Sequence, residues 1–197
     1  MTGWARWTAR RLADAARWAT GRVDTRPGTT TLAYGRSATT FLWMITGITA
    51  VETAIVELAV PWPCLRVVLA VVCIGSLPLM AGMVAAYRIR PHLLGERTLL
   101  LRSGSALEAE VPLSAIASVG RTTGTAPQHP GVVGSVLELG VGTTDVVVIL
   151  RSPQTGEDEE AGGQAFDRIR CSADDPDEFV ASVRAALARP GTLQPSA

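Results

Sequence analysis

Glu52 is the residue best placed to do chemistry in this chain, because it stands eleven positions after Phe41 inside an apolar run that also carries Glu57 near its end. A carboxyl in such surroundings can relay a proton, hold a cation or accept a partner's donor, since charge is costly there without a specific partner. Ser76 brings a hydroxyl to about the same depth when the two apolar runs fold back on each other, and Arg66 is within reach of Glu57 near the turn. His92 and His129 lie far apart, outside any HExxH pattern, and Cys64, Cys73 and Cys171 form an odd set without CxxC spacing. Neither a metal nor a disulfide is expected, and the three thiols read as small buried hydrophobes. The glycine-containing stretch GVVGSVLELGVG lacks both the strand, GxGxxG and helix order of a dinucleotide site and the GK[ST] of a phosphate loop, so no nucleotide or other cofactor is expected. With no nucleophile, base and orienter set, the chain reads as noncatalytic.

The elements that hold these residues begin with two apolar runs, Thr39 to Val60 and Leu65 to Tyr87. As helices each extends about 33 Å at 1.5 Å per residue, against a hydrocarbon core of about 30 Å. Pro61, Trp62, Pro63 and Cys64 separate them, and two prolines in four residues end one helix and start another. The prediction is an antiparallel membrane hairpin, with residues 39–60 and 65–87 as spans and 61–64 as an external turn. Pro78 inside the second run is tolerated in a membrane helix by local kinking.

Seven arginines between Arg6 and Arg36 precede the first span and Arg88, Arg90, Arg97 and Arg102 follow the second, while the turn region has Arg66 alone. By the positive-inside rule the chain is a multi-pass protein of the cell membrane with both termini cytoplasmic, and Trp43 and Trp62 mark the two interfaces. Within the first 38 residues, Trp4, Trp7 and Trp18 fall on one side of a helical stretch beside Arg6, Arg10 and Arg17, which predicts an interfacial helix on the inner leaflet. The apolar run starts too late and is too long for a signal core, and LADAARWATGR after Arg10 and Arg11 argues against twin-arginine export. All eighteen basic residues are Arg, with no Lys and no Asn, the bias of GC-rich codons and of an actinobacterium-like source. A net charge of zero gives no sign of a nucleic-acid partner.

From residue 90 to 189 the pattern changes to short β-rich runs, Thr98 to Arg102, Ala109 to Leu113, Val136 to Leu139, Asp145 to Leu150 and Phe166 to Cys171, with Gly, Ser, Pro and Thr between them. These predict a small, mainly antiparallel β unit, with the acidic stretch QTGEDEEAGGQ as a solvated hairpin loop. In DDPDEFVASVRAALARPG, Asp175 is placed to cap a helix, Pro176 suits its first turn and Glu178 completes a capping-box spacing. Phe179, Val183, Ala186 and Leu187 form its apolar face, Arg184 and Arg189 suit its C-terminal end, and residues 190–197 read as a disordered tail.

A membrane hairpin followed by TLLLRSG, EVPLSAIASV and a final DDPDEFVASVRAAL resembles the actinobacterial two-helix membrane proteins that carry a bacterial pleckstrin-homology-like domain. The resemblance covers roughly Arg90 to Ala188. It implies an α+β cytoplasmic domain, a small β-barrel or curved sheet capped by a C-terminal helix. Five strand runs are fewer than the seven of that fold, and no basic loop matches a phosphoinositide site, so headgroup recognition is not carried over. The functional expectation is a noncatalytic interaction module held at the inner face of the membrane. Its partners are the lipid bilayer and a membrane protein or a second copy of the chain; an accessory subunit of a larger transporter or membrane enzyme is the alternative.

Overall fold

The computed structural model describes residues 3–59, 61–127, 129–140, 142–155 and 163–189, without the side chains of 3–7, 10, 37, 38, 41 and 57. It is an α+β structure of four helices and two sheets that divides into two units, residues 1–23 with 38–89 and residues 24–37 with 90–197.

In the first unit α1 (Gly3–Ala19) is the Trp- and Arg-rich helix expected at the N-terminus. It ends where Thr20 Oγ1 bonds the Ala16 and Arg17 carbonyls and Gly21 takes a φ of 67°, the left-handed conformation that favours glycine just past a helix. Next come α2 (Arg36–Ala59) and α3 (Pro63–Ile89), which begins on a proline, the residue suited to a first helical turn. Among the described residues α3 is the one helix long and apolar enough to cross a membrane, while the apolar part of α2 is the shorter Leu42–Val56. Leu42–Val56 is bounded by Phe41 and Glu57, whose side chains lie outside the described residues.

Instead of lying free, α1 packs along α3. Gly82 on α3 meets the α1 backbone so closely that a methyl group added there would overlap the Arg11 carbonyl. Val84, Ala85, Ala86 and Ile89 are buried in the same half of α3. Small residues that let backbones approach are how helices associate where no hydrophobic drive helps.

The second unit contains nine described strands. The first sheet has the order β1 (Thr30–Leu32), β2 (His92–Leu94), β3 (Thr98–Ser103), β4 (Leu107–Pro112), all antiparallel. The second has the order β5, β8, β9, β7, β6, formed by β5 (Ile116–Thr125), β6 (Gly131–Val133), β7 (Val136–Glu138), β8 (Thr143–Thr155) and β9 (Ala165–Cys171). Its β7–β9 pair is parallel. Neither sheet closes on itself, so of the barrel or curved sheet expected the barrel is not formed, and the arrangement is two open sheets.

All five expected strand runs are strands, whereas β1, β2, β5 and β6 are additions. The β5 sequence IASVGRTTGT carries two glycines and no strict alternation, and it is a strand because it pairs with β8 from Ile116 to Thr125. The acidic stretch lies between β8 and β9, which pair antiparallel through Gln154–Phe166 and Thr155–Ala165; its tip, 156–162, is outside the described residues, as is the tail 190–197.

Helix α4 (Pro176–Leu187) starts as its sequence requires, with Asp175 Oδ1 accepting the Glu178 N–H at 2.9 Å. Phe179, Val180, Val183 and Ala186 enter one core with Leu99, Leu101, Val146, Val148 and Ile169 from both sheets. Arg184, expected to favour the helix end, also donates to the Val119 carbonyl of β5 at 3.0 Å.

Gly82→Ala is expected to force α1 off α3 at a cost of about 1–3 kcal/mol. Trypsin should then cut α1 several-fold faster, while Gly75→Ala, where an added methyl meets nothing, should leave the cleavage rate unchanged.

Candidate functional site

In the first unit the feature that stands out is an uncovered apolar surface. On α2 it runs from Trp43 and Met44 through Ile48, Val51 and Ile55 to Leu58, which is 88% exposed, and on α3 from Leu65 to Ile74. A contiguous patch of this size on a soluble chain marks a surface made to meet lipid or protein. Exposed tryptophans bound it. Trp43 lies 6.4 Å from Trp18 of α1 at an interplanar angle of 51°, and Trp62 is 66% exposed in the α2–α3 turn. The side chains of Trp4 and Trp7 lie outside the described residues.

Glu52 is exposed within this surface, and no described residue bonds to it. Ser76 does not meet it, because its hydroxyl donates to the Cys73 carbonyl of its own helix at 2.7 Å. The Thr46 and Thr53 hydroxyls likewise donate to Leu42 at 2.8 Å and Thr49 at 2.7 Å. Arg66 is half-buried in the first turn of α3, its backbone N–H bonded to the Trp62 carbonyl at 3.0 Å; the Glu57 side chain that it was expected to reach lies outside the described residues. Of the thiols read as buried, Cys171 is buried and Cys73 half-buried, but Cys64 is exposed because it falls at the start of α3 beside the turn.

The second unit has a buried polar cluster that the sequence reading did not identify. His92 on β2 is fully buried; its Nδ1 accepts the Arg102 backbone N–H at 3.0 Å and its Nε2 lies 3.1 Å from the Ser172 carbonyl. These partners assign the proton to Nε2. Tyr34 stacks on the ring at 4.0 Å and 12°, Phe179 meets it edge-on at 5.9 Å, and Tyr34 Oη accepts the Gly104 N–H at 2.7 Å. The Arg102 guanidinium, 4% exposed, pairs with Asp24 and Glu108, each at 3.3 Å. Its neighbours on the sheet are supported by Arg26, whose bond to Glu110 at 3.1 Å holds that carboxyl below its usual range.

Burial, the dominant cause, pushes the His92 imidazole down to about 4, and Arg102 adds to the shift against the opposing Ser172 bond. Both ring nitrogens are occupied by backbone groups, so the imidazole is a fastener between elements. Nothing in single-sequence patterning separates this histidine from any other in PHLLGERTLLLR; only Tyr34, fifty-eight positions earlier, makes it a stack.

A cleft of about 150 Å³ lies between Thr31–Ala33 and the start of α4, lined by Asp174, Asp175, Glu178 and Phe179. Two of its carboxylates bind backbone: Asp174 accepts the Arg36 N–H at 2.7 Å and Asp175 caps α4. The cleft is therefore a seam closed by the chain's own groups. Among the described residues no three His, Cys, Asp or Glu side chains are grouped to hold a metal ion. No family model, curated protein or solved structure matches the chain.

Because the folded imidazole titrates near 4 and the unfolded one near 6.5, the unfolded chain binds the extra proton between these values. Stability is full above pH 6.5 and falls by roughly 3 kcal/mol on acidification to pH 4. Thermal melts followed by the β-sheet circular dichroism should show this loss from pH 6.5 to 4.5, before Glu110 contributes, and His92→Gln should flatten it.

Burial also raises the Cys171 thiol to about 12. Maleimide should therefore label Cys64 rapidly in the detergent-solubilised chain and Cys171 only after denaturation.

Proposed function

We propose that this chain is a membrane-anchored, noncatalytic interaction module. In this reading α2 and α3 form the hairpin that inserts in the bilayer, and the sheet unit is a pleckstrin-homology-like domain on the cytoplasmic side. The observation that carries the reading is the uncovered apolar surface of α2 and α3, bounded by Trp43 with Trp18 and by Trp62. Water would leave that surface unsatisfied, and a hydrocarbon layer with an aromatic belt at each face satisfies it.

Charge supports the same reading. The helical unit has seven arginines against three acidic residues, six of those arginines on the side of the bilayer that holds the termini; the sheet unit has eleven against fifteen. A net positive end suits anionic headgroups, and a net negative domain suits the cytosol more than the lipid surface. Two sheets sharing one core with a C-terminal helix support the pleckstrin-homology-like assignment. His92, with both nitrogens engaged, supplies no free acid or base.

The test is extraction and topology. The chain should stay in the membrane pellet at alkaline carbonate pH, reporters at residues 2 and 197 should both read cytoplasmic, and a tag between Pro61 and Cys64 should be reachable from outside. Release by carbonate, or termini on opposite sides, would overturn the hairpin.

A further inference from the structure

Along α2 the residues Ile45, Ile48, Glu52, Ile55 and Ala59 follow one another at spacings of three, four, three and four. This is the a/d seam of a left-handed coiled coil, with one polar residue at its centre. The seam is uncovered: Ile48 is 51% and Ile55 57% exposed, Glu52 and Ala59 are exposed, and Ile45 is half-buried at its start. The Thr46, Thr53 and Ser76 hydroxyls donate to carbonyls of their own helices, so the chain offers none of them as a donor to Glu52.

We propose that this face is a homodimer seam: two copies of the chain pair in parallel through these five residues, with the two Glu52 carboxyls facing each other across the two-fold axis. The proposal rests on the membrane reading above.

The occupant follows from hydrogen bonding. Lipid cannot satisfy a carboxyl at a helix centre. Two carboxyl groups that face each other can satisfy one another through shared protons, so the group is complementary to itself. A second copy inserts with the same topology, so its Glu52 arrives at the same depth, and an isologous interface places a residue near the axis opposite its own counterpart. Isoleucine at both seam positions by itself favours three or more strands over two. The carboxyls decide for two, because two acids satisfy each other and a third is left over.

Cross-linking of the full chain in phosphatidylethanolamine and phosphatidylglycerol vesicles tests this, in a Cys64→Ser, Cys73→Ala background. With Ile55→Cys, mild oxidation should give a disulfide-linked dimer; Ala50→Cys, on the opposite side of α2, should give about tenfold less. Adding Glu52→Leu to Ile55→Cys should cut the dimer about tenfold, in line with 1–2 kcal/mol for an interhelical hydrogen bond, whereas Glu52→Gln should keep most of it. Equal cross-linking at positions 50 and 55, no effect of Glu52→Leu, or a carbonate-resistant monomer would overturn the seam while leaving the anchor standing. Release of the chain by carbonate would remove anchor and seam together.

Discussion

The sheet unit depends on one buried imidazole. His92 reaches the β3 backbone through the Arg102 N–H and the segment after β9 through the Ser172 carbonyl, and its faces receive Tyr34 and Phe179. The first sheet, the end of the second, the strap before α2 and the capping helix therefore converge on one ring. Such a junction is strong only while the ring is neutral, since a protonated Nδ1 would face the Arg102 N–H and lose its acceptor. Low dielectric strengthens the satisfied network and penalises the unsatisfied one equally.

The segment Asp24–Ser37 gains its meaning from that junction. By sequence it joins two helices, yet its β1 pairs with β2, its Tyr34 fills the space above His92, and its Asp24 pairs with the buried Arg102 guanidinium. Removing either partner from that ion pair would leave a buried charge or an orphaned donor set, a larger penalty than the pair's own net value. The chain passes between its two units at Val23–Asp24, Ser37–Ala38 and Ile89–Arg90.

In the helical unit two kinds of surface lie on the same helix. The last turns of α3 are buried through Gly82, Ala85 and Ala86, where lack of side-chain bulk admits α1, while its first turns present Leu65, Val68, Val71 and Val72 outward. Small residues make contact by close approach, and branched residues make a lipid or helix face by area. Among the described residues of that surface, Glu52 departs from both patterns, exposed and with no described residue bonded to it.

Periodicity and punctuation were enough to locate α3, the five strands β3, β4, β7, β8 and β9, and α4 with its Asp175 cap, because each is encoded within a few neighbouring residues: an unbroken apolar run, β-branched alternation, a capping pattern before an apolar face. The strands β1, β2, β5 and β6, the parallel β7–β9 pair and the open sheets were decided only by the tertiary structure, since short or glycine-containing segments become strands when a partner edge completes their hydrogen bonds. Glu52 stands out in the sequence as a carboxyl within an apolar run, and the structure shows it exposed, as Trp43 and Trp62 are. The docking of α1 at Gly82 and the His92 cluster were not, because a close approach and a ring stack are properties of pairs distant in sequence, Arg11 with Gly82 and Tyr34 with His92. A single sequence records what each residue tends to do beside its neighbours; which distant residue it meets depends on how the whole core closes.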